Sequence, residues 1–309
     1  MKKNVVRKIG VVAALAVFGL FAIGSGESSD NKKEIVASGE NQEEGTDSEA
    51  KKEDTNSSKE SFTIDEQVLF EQDGIKVTAT GVEEDSFNGT GIKLLLENDS
   101  DKNVTVGCNA LIVNDYMISD LFGAEVAAGK KANETMYMMS SELNAAGISN
   151  IGQIEIYFHV YDSGSYDTLF DPDVVTIQTS NYEKMDTDAE EESDGFELWN
   201  DNGIKILGKY VDEDSFWGTA VLLYIENTSG KNVGISCEDM SINGYMVSPF
   251  FSSTVYDNKK ALDEITILSS DLEENGIDKV EDIELNFHVY DADSYDTIFD
   301  TGAVSFSAK

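Results

Sequence analysis

The sequence predicts an all-β protein made of two tandem Greek-key β-sandwiches, each with one short helix, after a signal peptide and a disordered acidic spacer. Three observations predict this. Cys237 follows Cys108, and His288 follows His159, by the same offset of 129 residues. Within each repeat, runs of alternating apolar and polar residues are separated by Asn-Gly or Asp-Gly pairs. Few apolar residues lie between the first 24 residues and the first repeat.

The N-terminus has the pattern of an export signal. A basic region precedes an apolar run over residues 9–24 and contains Lys2, Lys3, Arg7 and Lys8. The run is short for a bilayer span, which needs about 20 residues, and small side chains precede Ser25 as at a cleavage site. We expect residues 1–24 to be a signal peptide and the mature chain to have no membrane span. An uncleaved N-terminal anchor is the alternative.

Two acidic segments separate the folded parts. Residues 25–62 consist mainly of Glu, Ser, Asn, Lys and Asp, and residues 181–194 repeat this composition on a shorter scale. Such segments bury too little apolar surface to offset the conformational entropy lost on ordering. We therefore expect the first to be a disordered spacer and the second to be the interdomain linker.

The repeats match in whole motifs. DGIK at 73–76 returns as NGIK at 202–205, and DSFNGT at 85–90 returns as DSFWGT at 214–219. FHVYDSGSYDTLFD at 158–171 returns as FHVYDADSYDTIFD at 287–300. A repeat of this length indicates a complete folding unit. We expect the sandwiches to cover 63–180 and 195–309, and fragments 62–180 and 194–309 to fold alone.

Each predicted element has a local reason. Asp73-Gly74, Asn202-Gly203, Asn243-Gly244 and the matching Asn114-Asp115 favour type I′ hairpin turns. The run IEIYFHVYD at 154–162 alternates apolar and polar residues, as does a half-buried strand. Further strands are expected at 72–82, 91–98, 103–108, 133–139 and 168–178. SSELNAAG at 140–147 and SSDLEENG at 269–276 predict one short helix per repeat, with a serine cap and a terminal glycine.

These residues resemble a known family. The stretch from GIKV through LLLENDSDKNV, followed by the short helix and the FHVYD strand, resembles the immunoglobulin-like domains of uncharacterised exported proteins of Firmicutes. The resemblance covers each repeat nearly whole. It implies two tandem Ig-like Greek-key β-sandwiches and no established activity. Many members of that family are lipoproteins, whereas Ser25 stands here at the position of a lipobox cysteine.

The composition excludes one class of partner. The formal charge is −38, and Arg7 is the only arginine, so a chain cleaved after residue 24 would contain none. Nucleic-acid recognition depends on basic patches and on the bidentate guanidinium group, so this surface would repel a polyanion. We expect no nucleic-acid binding. The acidity serves solubility or, alternatively, attracts cations or basic partners.

Few residues offer catalytic or metal-binding chemistry. The two cysteines, Cys108 and Cys237, sit at equivalent strand positions, so we expect both to be buried, reduced and too far apart for a disulfide. Each repeat has one histidine and no G-x-S-x-G motif, and one histidine with one buried cysteine does not make a zinc site. We expect no catalysis, no metal site and no cofactor.

The candidate site lies in loops. In an Ig-type sandwich, the loop after the second strand and the last hairpin loop share one end. That geometry would group acids and aromatic side chains into one cluster per repeat: Asp85, Phe87, Asp162, Tyr166 and Asp167 in the first, and Asp214, Phe216, Trp217, Asp291, Asp293, Tyr295 and Asp296 in the second. Three interpretations stay open: a recognition surface, a calcium site, and purely structural Asx-turns covered by aromatic rings.

The hypothesis that follows is a non-catalytic module, displayed outside the cell or in a Gram-positive cell envelope, that binds a protein or cell-surface ligand. A calcium-dependent binding module or a hydrolase that uses the acidic loops is the alternative. We expect Phe87 and Phe216 to be buried and Trp217, whose counterpart is Asn88, to be exposed. If the phenylalanines are buried, the sheet faces around His159 and His288 become the place to look for a binding site.

Overall fold

The computed structural model describes residues 32–38, 61–85, 89–185 and 195–309. The predicted signal peptide, most of the spacer, Phe87 and Asn88, and residues 186–194 of the linker lie outside this range. Within it the chain is all-β with two short helices, which confirms the all-β part of the predicted fold class. None of the described helices combines the length and apolar character needed to cross a membrane.

An N-terminal segment and the first repeat contain the first twelve strands. The strands are β1 Lys32–Lys33, β2 Ile35–Ala37, β3 Gln67–Gln72, β4 Ile75–Asp85, β5 Gly89–Asn98, β6 Val104–Val113, β7 Tyr116–Ile118, β8 Gly123–Val126, β9 Lys130–Met138, β10 Gln153–Asp162, β11 Thr168–Phe170 and β12 Val175–Gln178. Helix α1, Ser140–Ala145, lies between β9 and β10, and a 3-10 turn, Tyr182–Lys184, follows β12.

The second repeat has a similar order of elements, with one long last strand where the first has two short ones. Its strands are β13 Phe196–Asp201, β14 Ile204–Ser215, β15 Gly218–Asn227, β16 Val233–Ile242, β17 Tyr245–Met246, β18 Ser252–Val255, β19 Lys259–Leu268, β20 Asp282–Asp291 and β21 Thr297–Ala308. Helix α2, Ser269–Glu274, lies between β19 and β20.

Each repeat is a sandwich around its own core, and the two repeats share one eleven-stranded sheet, because β19 of the second pairs with β7 of the first. In the first, the sheet β3–β4–β5–β9 faces a sheet centred on β6 and β10. In the second, β13–β14–β15–β19 faces β16–β20–β21. The alternation predicted for β10 is confirmed, because Ile154, Ile156, Phe158 and Val160 are at most 1% exposed and the residues between them are only partly buried. Period-two patterning thus fills the space between the sheets.

The turns follow the predicted chemistry. Asp73-Gly74 has φ of 51° and 81°, Asn202-Gly203 has 55° and 76°, and Asn243-Gly244 has 51° and 82°. Asn114-Asp115 matches them at 49° and 69°. Positive φ at both central positions is the geometry of a type I′ hairpin, which Asn, Asp and Gly tolerate.

The helices differ from prediction at their start. Met139 and Leu268 precede α1 and α2 as N-caps, and neither forms a side-chain capping bond. The serines lie inside the first turn, because the preceding strands run directly into each helix. The C-terminal part of the prediction is confirmed, since Gly147 and Gly276 have φ of 65° and 67°.

Two buried asparagines hold the loops that follow β5 and β15. The side-chain amide of Asn98 donates to the carbonyls of Lys102 and Val126, and its oxygen accepts from Ser100. Asn227 makes the matching set of bonds in the second repeat. Because both side chains are at most 1% exposed, these bonds replace water for groups that would otherwise be unpaired.

The spacer contains structure that its composition did not predict. Lys32–Lys33 pairs with β14, and Ile35–Ala37 pairs with β21, so both strands belong to the second repeat. Ile35 is only 4% exposed. The prediction of disorder over all of 25–62 is therefore wrong at this apolar triplet, and also at Phe62, which is buried in the first core.

Both cysteines are free and partly buried against their cores. Burial raises the pKa of both thiols, that of Cys237 to about 12. A thiol that does not ionise near neutral pH is a poor nucleophile and a poor metal ligand. The two cysteines form no disulfide, but the prediction that both are buried is wrong, since each is only partly buried.

The two repeats pack against each other. Tyr116 on β7 and Tyr224 on β15 are at most 1% exposed, and Leu207 and Tyr224 belong to the core of the first repeat. Lys259 Nζ lies 2.7 Å from an Asp115 carboxylate oxygen and 2.5 Å from one of Glu155. One side of the interface is therefore apolar, and at its edge Lys259 forms ion pairs with two carboxylates of the first repeat.

Candidate interaction site

Each repeat has two ends, which we call the helix end and the loop end. The helix end carries α1 or α2 and the tip of the β4–β5 or β14–β15 hairpin, because Ser269 N bonds Trp217 O. The loop end carries residues 162–167 or 291–296, because Ser163 N bonds Asn103 O and Ala292 N bonds Asn232 O. A ten-residue strand separates the two ends, a distance of about 33 Å.

The predicted clustering of the two loops is therefore wrong. Asp85, Asp214, Phe216 and Trp217 lie at the helix ends, whereas the remaining described candidates lie at the loop ends: Asp162, Tyr166, Asp167, Asp291, Asp293, Tyr295 and Asp296. The physical reason is the path of the second hairpin, whose tip points away from the turn after β10 or β20. The two sets cannot form one binding site within a repeat.

The acids of the loop ends have structural partners. Asp162 accepts backbone N–H bonds from Gly164 and Ser165, and Asp291 does the same with Asp293 and Ser294. The bond from Lys231, with those from the backbone, lowers the pKa of Asp291 to about 2. Both residues are Asx-turns, the structural alternative given above. The oxygens of these two carboxylates already accept hydrogen bonds, which argues against calcium binding at Asp162 and Asp291.

The same turns display tyrosines in a strained conformation. Tyr166 and Tyr295 have φ of 61° and 62° and are 77% and 70% exposed. Each ring lies about 6 Å from a second tyrosine, Tyr161 or Tyr290, which in turn lies beside the histidine of its repeat. Positive φ is unusual for a bulky residue. Its presence in both repeats makes these three-ring ladders a second candidate surface.

The helix end of the second repeat exposes the predicted aromatic pair. Trp217 is 52% exposed, as expected, whereas Phe216 is 72% exposed, so the expectation of a buried phenylalanine is wrong. The two rings contact each other edge to face at 4.8 Å. They extend from the hairpin tip instead of folding over the end of the sandwich, so little stability depends on them.

Three further exposed side chains lie at the same end and were not predicted. Tyr245, Met246 and Phe250 are 52%, 63% and 53% exposed. Their segment reaches α2 through the bond from Ser248 N to Asp271, and Phe250 pairs with Thr266 just before α2. With Phe216 and Trp217 they form the helix-end patch, five large apolar side chains on one end of a sandwich.

Two of these positions belong to a contact surface in the first repeat. Tyr116 and Met117 stand 129 residues before Tyr245 and Met246. Tyr116 is 1% exposed and Met117 packs into the core of the second repeat. Positions that are covered by a neighbouring domain in one repeat are therefore exposed in the other. Comparing the two repeats could have identified Tyr245 and Met246 from the sequence.

One group of side chains has the composition of a metal site. Glu238, His288 and Asp300 bring one ligand atom each within 4.8 Å of one another. His288 Nδ1 also lies 2.6 Å from Asp300. In the first repeat, Asn109 replaces Glu238, while His159 and Asp171 keep the same pairing. A mixed imidazole and carboxylate set suits zinc better than calcium.

Comparisons with known proteins give little guidance. No family model matches the chain, and no curated protein does. Three solved structures with some likeness are the SafA pilin–SafB chaperone complex of Salmonella enterica, the YadV chaperone, and the CsuC–CsuE chaperone–tip adhesion subunit complex of Acinetobacter baumannii. They are 9%, 12% and 12% identical, and the alignments cover 77%, 71% and 71% of this chain and 98%, 92% and 91% of theirs. The TM-scores of 0.24, 0.19 and 0.22 are too low to support any argument.

Proposed function

We propose that this chain is a non-catalytic interaction module, exported to the cell surface or envelope, and that the helix-end patch binds a protein partner. The observation that supports the proposal is the difference between the repeats. The first repeat buries Tyr116 and packs the half-buried Met117 against another domain, whereas the second repeat exposes Tyr245 and Met246. Exposed Trp, Tyr, Phe and Met side chains on one surface are typical of binding hot spots.

The partner should present an apolar sheet face. The face that receives the first repeat carries Leu207, Leu222, Tyr224 and Leu262. Tyr116 on β7 and the end of α1 contact this face. The corresponding positions of the first repeat are Thr78, Lys93, Leu95 and Asn133, which are mostly polar. Since the apolar face is already covered and the other is polar, the partner is a different protein, not a second copy.

Affinity capture with matched variants tests this proposal. The full chain is immobilised as wild type, as Trp217→Ala/Tyr245→Ala, and as Tyr166→Ala/Tyr295→Ala, and each is incubated with the extracellular proteins of the source cell. We expect a partner retained by the wild type and by the tyrosine-ladder variant but lost from the patch variant. Melting of the three proteins should agree within a few degrees, because all four side chains are exposed.

The opposite selectivity would contradict the proposal. If the ladder variant loses the partner and the patch variant retains it, binding takes place at the loop ends. If both variants retain every captured protein, neither aromatic surface is the binding site.

Divalent metal binding is a second candidate function, favoured by the Glu238, His288 and Asp300 group. A zinc ion bound only to the folded chain would raise its melting temperature. Glu238→Asn copies the residue of the first repeat and should abolish the shift, while Glu284→Asn, on the neighbouring strand, should preserve it. Addition of calcium in place of zinc separates the two metal hypotheses. No zinc shift in the wild type would exclude this function.

A further inference from the structure

The N-terminal segment occupies a place that the second repeat cannot fill from its own flanking sequence. Glu34 and Lys309 exchange two backbone hydrogen bonds of 2.8 and 2.9 Å. The matching pair in the first repeat is Thr63 and Ser180, where Ser180 N donates to Thr63 O at 2.9 Å. Thus the residues just before β3 close the edge of the first sandwich, and residues from the distant N-terminus close the second.

The sequence explains this difference. In the first repeat, the closing segment is Ser61–Phe62–Thr63–Ile64, with Phe62 buried and Ile64 against the core. At the same offset before β13 stand Glu190–Glu191–Glu192–Ser193. Three carboxylates cannot enter an apolar slot without a large desolvation cost. The second repeat therefore needs its closing strand from elsewhere.

The slot is shaped for residues 32–37. Ile35 enters the second core beside Gly208, where an added Cβ would lie 2.7 Å from Ile35 Cδ1. The first repeat has Ala79 at this position, so the glycine makes room for the isoleucine. Lys33 Nζ lies 2.7 Å from Glu213 and 2.8 Å from the carbonyl of Val280, and Lys32 Nζ lies 4.1 Å from the ring centre of Tyr210. The slot thus fits two basic residues, an exposed residue and then an aliphatic one.

We propose that this slot is a strand-acceptor site and that a second copy of this chain can supply residues 32–37 to it. Residues 39–60 are all that joins the segment to the first repeat, a connection of 22 residues. A connection of this length gives the internal segment an effective concentration of about millimolar. Because only six residues pair, Glu34 among them, and one side chain is fully buried, copies at a similar local concentration exchange the strand. This proposal does not depend on the helix-end patch.

Disulfide trapping between copies tests the exchange. Residues in a doubly hydrogen-bonded antiparallel pair have Cα atoms about 5.5 Å apart, within the range of a disulfide, and both Glu34 and Lys309 are exposed. A full chain with Glu34→Cys is mixed with one carrying Lys309→Cys and oxidised. We expect a covalent dimer on a non-reducing gel that a wild-type mixture does not give.

Three further variants make the result specific. Ile35→Asp on the Glu34→Cys copy should remove the dimer, and Gly208→Val on the Lys309→Cys copy should reduce it severalfold. A free peptide of residues 31–38 should compete with the dimer, which gives a readout that needs no variant in the core. A single chain carrying both cysteines should close internally.

Two results would overturn the proposal. Internal closure of the double-cysteine chain, without any dimer from the mixed copies, would show that the strand docks only within its own chain. Failure of the double-cysteine chain to close would remove the acceptor site itself. Neither result bears on whether Trp217 and Tyr245 bind a partner.

Discussion

At the scale of single residues, burial raises the pKa of two carboxyl groups, Glu142 and Asp263. Glu142 lies on α1 and Asp263 on β19, and the charge on Glu142 acts on Asp263. Desolvation is the main cause that raises the pKa of each to about 7. An acid with a raised pKa keeps its proton in the folded state at a pH at which the unfolded chain has released it.

These two residues predict an inverted pH dependence. The unfolded pKa of both groups lies near 4, so between about pH 4 and 7 the folded chain binds more protons than the unfolded chain. The free energy of unfolding should therefore fall as the pH rises through this window and level off above it. Melting temperatures at pH 5.5 should exceed those at pH 8.

Asp263→Asn is the matched variant for this prediction. The amide has the shape of the protonated acid and no charge, so the variant should lose much of the difference between pH 5.5 and 8. Asp278→Asn, at an exposed position of the same repeat, should retain it. A wild-type melting temperature that rises from pH 5.5 to pH 8 would contradict the assignment. Asp291, with its pKa of about 2, acts in the opposite sense but only below this window.

At the scale of elements, sequence periodicity predicted strands and turns well and placed the loops poorly. The Asx-Gly pairs and the alternation along β10 are local, because turn geometry and facing depend on adjacent residues. The grouping of Asp85 with Asp162 depends on which end of the sandwich each loop occupies, and that is set by the strand order of the whole sheet. The assumed Ig-type arrangement placed the β4–β5 tip at the wrong end.

The N-terminal strands were missed for a related reason. KKEIVA contains only three apolar residues, too few to predict a strand by itself. Its partner strands, β14 and β21, are more than 170 residues away, and only their unsatisfied edge gives the segment a place to fold. The offset between repeats contained the clue, since the second repeat lacks an apolar residue where the first has Phe62 and Ile64.

The docked N-terminal strand changes the prediction that each repeat folds alone, because the two fragments now differ. Fragment 62–180 contains its closing segment almost whole, whereas fragment 194–309 leaves the place of Ile35 empty. We expect the second fragment alone to have a lower melting temperature than the same repeat in the full chain. Adding a peptide of residues 31–38 should raise that melting temperature by several degrees. The same peptide with Asp in place of Ile35 should give no gain. A second fragment that is unaffected by either peptide would show that the strand adds nothing to its stability.

At the scale of the whole molecule, the two repeats differ at their mutual contact. Leu222 and Leu262 stand where the first repeat has Lys93 and Asn133. Replacing both by those counterparts, Leu222→Lys and Leu262→Asn, should separate the domains without unfolding either, because the first repeat tolerates the same residues on its own sheet. The expected results are a larger radius of gyration in small-angle scattering and two separate calorimetric transitions.

Leu121→Asn is the control for this prediction. Leu121 is 72% exposed, so its replacement should change neither the scattering nor the melting profile. If the double variant keeps the compact scattering profile of the wild type, the Lys259 ion pairs and the Tyr157–Tyr256 ring contact at 4.7 Å hold the repeats together without the leucines.

The docked N-terminal strand also determines how tension would travel through the chain. A pull applied before Lys32 reaches the second repeat directly through the pairing of β1 and β2, and the first repeat carries no load. When that pairing breaks, residues 32–37 are released from the edge of the second repeat. The load then passes to the first repeat. The pairing of this strand therefore breaks, and the molecule lengthens, before any sandwich has to unfold.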